Sequence, residues 1–384
     1  MRPAEPAHTA MKIIHVVPSL ETRHGGPSKS VHELAAACTA IGHETELLST
    51  SPGSAETREV DQLKVRVFRR GWPAKLCPSA GLRDALSDCR GDIIHHHSLW
   101  LRTLHYAHLA SRGSDAKLVV SPRGMMSPWA WNHHRARKRL AAALIHPGAL
   151  AAADGWHATS TAEADDIRRL GFQQPVCLAP NGVTLPPAES LIGAGAAWRA
   201  HCPATVNRPV ALFYSRFHRK KRLRELFNLW VAAPRGDWLL LIAGVPEEYS
   251  VAEVQGWINA AGASDRVAVA DGAGLPPPYA VASLFLLPSH SENFGLVITE
   301  AMAAGVPVVV TDGTPWAALN PDGRGWCVPW PDFNRALQTA LAEGPARLAE
   351  RGLRARSWVL QEYSWEKSAR ALVEFYRQLR ESRP

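Results

Sequence analysis

The stretch Leu284-Phe-Leu-Leu-Pro-Ser-His-Ser-Glu-Asn-Phe-Gly-Leu-Val-Ile-Thr-Glu300 decides the fold. Its first four residues are an apolar strand, and a short polar loop follows. That loop opens a helix near Gly295, and Ala-Gly-Val-Pro-Val-Val at 304–309 returns the chain to a strand. A strand, a polar turn, a helix and a second strand make a βαβ unit. The free N–H groups and the positive dipole end at the start of such a helix form a seat for phosphate. Gly295 lets an anion approach closely. Phe294 and Leu296 flank it and belong to the same seat. Glu292 precedes the helix, where it can face a sugar. Glu300 lies more than one turn inside, where its carboxylate can accept hydrogen bonds from a ribose diol.

The same alternation extends outward in both directions. Met11–Val17 is an apolar run followed by Gly25-Gly26-Pro27 and a helical pattern through Val31, Leu34, Ala35 and Cys38. Strand-like runs recur at 44–49, 92–97, 117–121, 155–159 and 175–178. They restart at 209–214, 238–243, 266–269, 284–287 and 306–311. Between the two series, 186–206 is rich in Pro and Gly and reads as a linker. The expectation is an α/β chain of two Rossmann-like βαβ domains, residues 11–185 and 207–364, facing each other across a cleft. Residues 1–10 read as a disordered leader. A last helix, 365–384, is placed to return to the N-terminal domain.

Composition narrows the function classes. The chain has 384 residues, of which 20% are charged and 46% hydrophobic. No run approaches the ~20 apolar residues needed to span a bilayer. Cys38, Cys77, Cys89, Cys177, Cys202 and Cys327 form no Cys-x-x-Cys pair. They read as reduced thiols of a cytoplasmic protein. The net charge is +8, and residues 1–185 hold 22 Lys and Arg against 16 Asp and Glu. His133-His-Arg-Ala-Arg-Lys-Arg139 precedes an apolar run, with Trp129 and Trp131 nearby. It reads either as a solvated face or as a peripheral contact with an anionic membrane at its inner face. No aromatic-interleaved basic module is present, so nucleic acid is not expected as a partner. A nicotinamide dehydrogenase would need a Gly-x-Gly-x-x-Gly fingerprint, which is missing.

Several motifs in fixed order give a resemblance. They are Gly25-Gly26-Pro27, Asp92-Ile-Ile-His-His-His-Ser-Leu-Trp100 and Ser121-Pro-Arg-Gly-Met-Met-Ser-Pro128. Ala158-Thr-Ser-Thr-Ala-Glu163, Pro180-Asn-Gly-Val183 and Ser215-Arg-Phe-His-Arg-Lys-Lys221 follow. Glu292-x7-Glu300 and Tyr363-Ser-Trp365 complete the set. In this order the chain resembles the retaining glycosyltransferases of family 4, with the GT-B fold, including those that build bacterial surface polysaccharide and lipopolysaccharide. The resemblance implies transfer of a hexosyl unit from a UDP-, GDP- or ADP-sugar to a glycan or lipid-linked acceptor. It implies no cofactor and no metal, and the chain has no Asp-x-Asp triplet. Alternative readings are a sugar-nucleotide epimerase on the same fold and a basic binding protein without catalysis.

The resemblance also carries site roles. Arg216 and Lys221 fall where the family binds the diphosphate, a task suited to a forked donor beside a point charge. Ser215 and Arg222 stand where relatives carry Gly, and Lys220 can share the role of Lys221. Gly25 and Gly26 would approach the donor phosphate. Arg123 stands where many relatives have His, and it suits an anionic contact better than a proton relay. His95 and His97 share one strand face. His97 ends its strand, which places it in the cleft, on the acceptor side. A structural histidine is the alternative, and a metal site has no partner at ligand spacing.

Overall fold

The computed structural model describes residues 10–21, 26–132 and 135–382, with the side chains of 135–137 and 139 left aside. Most of the expected leader, Gly25 and the His133-His134 pair lie outside the described residues. The chain forms two compact units, Met1–Gly182 with Trp365–Pro384, and Val183–Ser364.

The first unit runs β1 (Lys12–Val16), α1 (Gly26–Ala40), β2 (Glu44–Ser51), β3 (Glu56–Val60), β4 (Leu63–Arg69), α2 (Ala80–Ser87) and β5 (Ile93–His97). It continues with α3 (Arg102–Arg112), β6 (Lys117–Ser121), α4 (Pro128–Asn132), α5 (Arg135–Leu144), β7 (Gly155–Ala158), α6 (Thr161–Arg169) and β8 (Val176–Leu178). The strand order is β3-β4-β2-β1-β5-β6-β7-β8. Every pair is parallel except β3 with β4. Order reverses between β1 and β5, where His15 lies beside His95. Ligands of open α/β sheets bind outside the strand carboxyl ends at such a switch point.

The second unit runs α7 (Ala188–His201), β9 (Val210–Tyr214), α8 (Leu223–Val231), β10 (Leu239–Gly244), α9 (Val251–Ala260), β11 (Val267–Asp271) and β12 (Leu284–Leu287). Then come α10 (Leu296–Ala303), β13 (Val308–Thr311), β14 (Trp326–Val328) and α11 (Phe333–Glu362), which kinks at Gly344-Pro345. Its six strands are all parallel, in the order β11-β10-β9-β12-β13-β14. Here the switch point lies between β9 and β12. Strands such as Leu284–Leu287 are buried along their whole length, as a sheet covered on both faces requires.

The last helix, α12 (Trp365–Glu381), belongs to the first unit. Leu372, Val373, Phe375, Tyr376 and Leu379 form its buried stripe, against Met11, Ile13, Leu34 and Cys38. Side chains of this size contribute roughly 1.5–3 kcal/mol each when buried.

Two expectations need correction. The stretch 186–206 is not a linker, because it contains helix α7. Pro187 caps the helix entry, and the buried Trp198 donates its indole N–H to the Pro276 carbonyl at 2.6 Å. The hairpin β3–β4 was also not expected. Its turn residues Asp61 and Gln62 adopt positive φ without the usual glycine, and β3 is exposed throughout. All six cysteines are free thiols, and burial pushes Cys38 and Cys177 up to about 12.

Candidate active site

In the second unit, the ends of β9 and β12 bring the expected residues together. After β9 the chain makes a short 3₁₀ turn over Arg219–Lys221, capped by His218 accepting from the Lys220 N–H at 2.9 Å. The His290 N–H donates to the Lys220 carbonyl at 2.8 Å, which ties this turn to the β12 loop. Lys221 lies buried and donates its ammonium to Glu292 Oε1. Ser289 Oγ donates to the same oxygen at 2.6 Å. Burial pushes the Glu292 carboxyl up. The Lys221 charge and both hydrogen bonds more than offset this and hold it below the usual carboxylate range. The Glu292 N–H donates to the Gly313 carbonyl at 2.7 Å. A Cβ on Gly313 would lie 2.3 Å from the His290 carbonyl oxygen, so the loop closes only over glycine.

Gly295 caps α10 with φ 81°, in the left-handed region. A side chain there would be strained, and its Cβ would press on Ile298 at 2.8 Å. Phe294 is buried with its ring against Trp316 and Tyr363, and Trp316 Nε1 donates to the Phe294 carbonyl at 2.7 Å. The Phe294 side chain therefore anchors the helix start, and Leu296 begins the first turn. Glu300 accepts from the Tyr279 hydroxyl at 2.8 Å, and Tyr214 stands edge-on to Tyr279. Burial, then the Glu300 charge, raises Tyr279 well above the ordinary tyrosine range, so it stays a donor. Tyr279 was not foreseen; its only signal is the Pro276-Pro277-Pro278 run before it.

Arg216 follows β9 but is exposed, forked onto Glu247 at 2.9 and 3.0 Å. Arg219 pairs with Glu248. Lys220 is partly buried, which lowers its pKa. Arg222, in place of a family glycine, adopts φ 50°. Its guanidinium lies 4.9 Å over the Trp330 ring and donates to the Pro288 carbonyl at 3.2 Å. These contacts offset the left-handed backbone.

In the first unit, Gly26 is exposed and begins α1. His97 is fully buried, so it does not line a surface as its strand position implied. Arg123 Nη2 donates to His97 Nδ1 at 2.9 Å, and His97 Nε2 meets His15 Nδ1 at 3.0 Å. His95 Nδ1 meets the Tyr376 hydroxyl at 2.6 Å. His15, His95 and His97 lie close enough to surround a cation. The lone pairs of His97 and His15 are otherwise engaged, because the Arg123 guanidinium at His97 Nδ1 only donates. His97 Nδ1 must accept, so its Nε2–H donates to His15 Nδ1. The positive Arg123 alongside also opposes a divalent ion.

Burial lowers His15, His96 and His157 to about 3 each. The unfolded chain would bind these protons near pH 6.5. The stability that they contribute is therefore complete above pH 6.5 and is lost as pH falls toward 3. Each histidine is expected to cost about 2 kcal/mol by pH 5. Urea unfolding should show a midpoint that drops between pH 7 and pH 5. A flat midpoint would contradict neutral burial.

Residues 25–182 match the "Glycosyl transferase 4-like domain", and residues 197–355 match "Glycosyl transferases group 1". A D-inositol 3-phosphate glycosyltransferase of Xylanimonas cellulosilytica is 29% identical, over 94% of this chain and 93% of its own. A GDP-mannose:cellobiosyl-diphosphopolyprenol alpha-mannosyltransferase of Komagataeibacter xylinus is 32% identical over 46% of each chain. Among solved structures, sucrose-phosphate synthase of Thermosynechococcus elongatus is similar with TM-score 0.75 and 22% identity, covering 97% of this chain and 100% of that one. Anabaena HepE in complex with UDP and glucose also reaches TM-score 0.75, at 17% identity, covering 96% and 100%. The chain belongs to the family-4-like glycosyltransferases of the GT-B fold.

Proposed function

We propose that the protein transfers a hexosyl unit from a UDP-, GDP- or ADP-sugar to a hydroxyl of a glycan or lipid-linked acceptor, retaining the anomeric configuration and using no metal. The observation that carries this reading is the buried Lys221–Glu292–Ser289 group at the β9/β12 switch point, beside the start of α10 and one turn before Glu300. The diphosphate would sit on the α10 N-terminus with Lys221 and Arg216. Glu292 would orient the sugar hydroxyls, and Glu300, held by Tyr279, the ribose. In the front-face step the bond from C1 to the diphosphate oxygen breaks. The acceptor oxygen bonds C1 on the same face, and its proton passes to the departing phosphate. The positive groups stabilise that leaving charge, the role a metal would otherwise fill.

Relatives support the donor class: the similar Anabaena HepE binds UDP-glucose, and another relative is a lipopolysaccharide core biosynthesis mannosyltransferase of Rhizobium meliloti. These support a place in surface-glycan or lipid-linked saccharide assembly. Helix α5 exposes Leu140 and Leu144 directly after the basic stretch, a surface suited to a peripheral contact with an anionic membrane. Among the described residues no helix is long and apolar enough to cross one. A thermal-shift screen of UDP-, GDP- and ADP-sugars tests the reading. One nucleotide class should raise the midpoint in proportion to its affinity. No shift with any of them would contradict the donor class.

Arg216→Ala should lose more activity than Arg219→Ala, although both remove one exposed, ion-paired arginine. A donor brought onto the diphosphate contributes several kcal/mol to the step, whereas a solvated charge is screened. Both variants should keep nearly full stability, because exposed pairs contribute little. Steady-state kinetics at two salt concentrations check this. Equal losses that shrink together at high salt would mean that the turn acts only as a diffuse field.

A further inference from the structure

The second sheet has an amino edge as well as the carboxyl edge that carries Lys221 and Glu292. Pro209 precedes β9 and Trp238 precedes β10, which places both at the amino edge. Between them and α11 lies an open cleft of about 630 Å³. Small-molecule sites commonly occupy ~300–1,000 Å³. Every residue that lines it belongs to the second unit. The Leu239 N–H donates to the Pro209 carbonyl at 3.0 Å, and the Trp238 N–H to the Arg235 carbonyl at 3.3 Å. These bonds fix one wall. Helix α11 supplies the other, through Ala342 and, beyond its break at Gly344, Pro345.

Arg235 lines this cleft and is only 8% exposed. Its Nη2 donates to the Leu229 carbonyl at 2.7 Å and to Asn334 Oδ1 at 3.3 Å, and its Nε donates to the Trp230 carbonyl at 3.4 Å. The two carbonyls belong to the last turn of α8, where a cation is favoured. Nη1 makes no hydrogen bond among the described residues, and no carboxylate there pairs with Arg235. A cation this deeply buried ordinarily has an anionic partner. Burial alone lowers its pKa. The exposed Asp237 and Gln338 also line the cleft, and their side chains make no hydrogen bond among the described residues. The rest of the lining is largely apolar, with Trp238, Pro234 and Pro345 in it.

We propose that this cleft is a second ligand site, which takes a small anionic sugar: one sugar ring carrying a phosphate or a carboxylate. The anion completes the charge on Arg235 through Nη1, a charge-assisted contact. The Asp237 carboxylate only accepts hydrogen bonds, and the Gln338 amide both donates and accepts, so the pair suits sugar hydroxyls. The apolar walls suit the C–H face of the ring. A nucleoside diphosphate fits less well, because a single cation with Asp237 close by would face several negative charges. The site lies at the opposite edge of the sheet from Lys221 and Glu292, so its ligand does not compete with a nucleotide there. It does not depend on the transferase reading.

Calorimetry tests it with glucose 6-phosphate, glucuronate, glucose and inorganic phosphate. At least one of the two anionic sugars should bind, about tenfold or more tighter than glucose and inorganic phosphate. Which of the two binds identifies the anion. Gln338→Glu places a second carboxylate in the cleft and should weaken binding about tenfold or more. Ala342→Trp fills the cleft and should abolish it. Both positions are exposed, so both variants should melt as the wild type does. Arg216→Ala, at the other edge, should bind the sugar unchanged. Binding of neither anionic sugar would overturn the proposal. So would equal affinity for glucose or for inorganic phosphate, or wild-type affinity in both cleft variants. Loss of binding in Arg216→Ala alone would place the sugar at the candidate active site and would overturn it too.

Discussion

Lys221→Met is expected to reduce turnover by about 10²–10³-fold and to destabilise the second unit by about 3 kcal/mol. Lys221 and Glu292 are both nearly buried, with side-chain exposures of 10% and 11%. Removing the ammonium leaves a nearly buried carboxylate held at Oε1 by the neutral Ser289 hydroxyl. An unpaired buried charge costs far more than the net value of the pair. The stability loss should therefore be relieved by a second change, Glu292→Gln, which removes the charge. Activity should not return, because Glu292→Gln alone is expected to be similarly impaired in transfer. Urea unfolding and steady-state kinetics on the two single variants and the double variant check both halves. Recovery of activity together with stability in the double variant would mean that the pair serves packing only.

Glu300→Ala is expected to weaken nucleoside diphosphate binding by about ten- to a hundredfold, the value of hydrogen bonds to a charged group. The carboxylate stands one turn inside α10, and Tyr279 holds Oε2 at 2.8 Å. Tyr279→Phe should weaken binding less, because it removes the support and not the contact. Glu292→Ala should leave nucleoside diphosphate affinity nearly unchanged while slowing transfer, since its contacts are to the sugar. Calorimetry on the three variants separates these roles. Wild-type affinity in Glu300→Ala would overturn the ribose assignment.

Much of this was legible in the sequence. Apolar runs such as Leu284–Leu287 and Val210–Tyr214 are short, continuous and bounded by polar turns, as strands covered on both faces are, so they are easy to read. Glu292, Gly295, Lys221 and Glu300 lie within short segments next to those strands, so their place in the fold was readable, while the diphosphate role of Lys221 came from the resemblance. The linker failed because Pro186-Pro187 and two glycines look like punctuation. Pro187 in fact sits at a helix entrance, and Trp198 supplies the packing that compensates for the glycines. The hairpin β3–β4 failed because its exposed strand has no apolar face to read. The partners of Arg123 were the least visible: Asn181 is 58 residues away and His15 joins through His97 across 82 residues. The triple histidine was read one residue at a time. Its meaning comes from a neighbour that can only donate, which no spacing rule contains.

The most direct test is nucleoside diphosphate release from UDP-, GDP- and ADP-hexoses in excess EDTA, measured for the wild-type protein and for Glu292→Gln. Metal-free release with one nucleotide class, largely lost in Glu292→Gln, is the predicted result. No release in EDTA with activity restored by a divalent ion, or release that is indifferent to Glu292→Gln, would contradict the proposed mechanism.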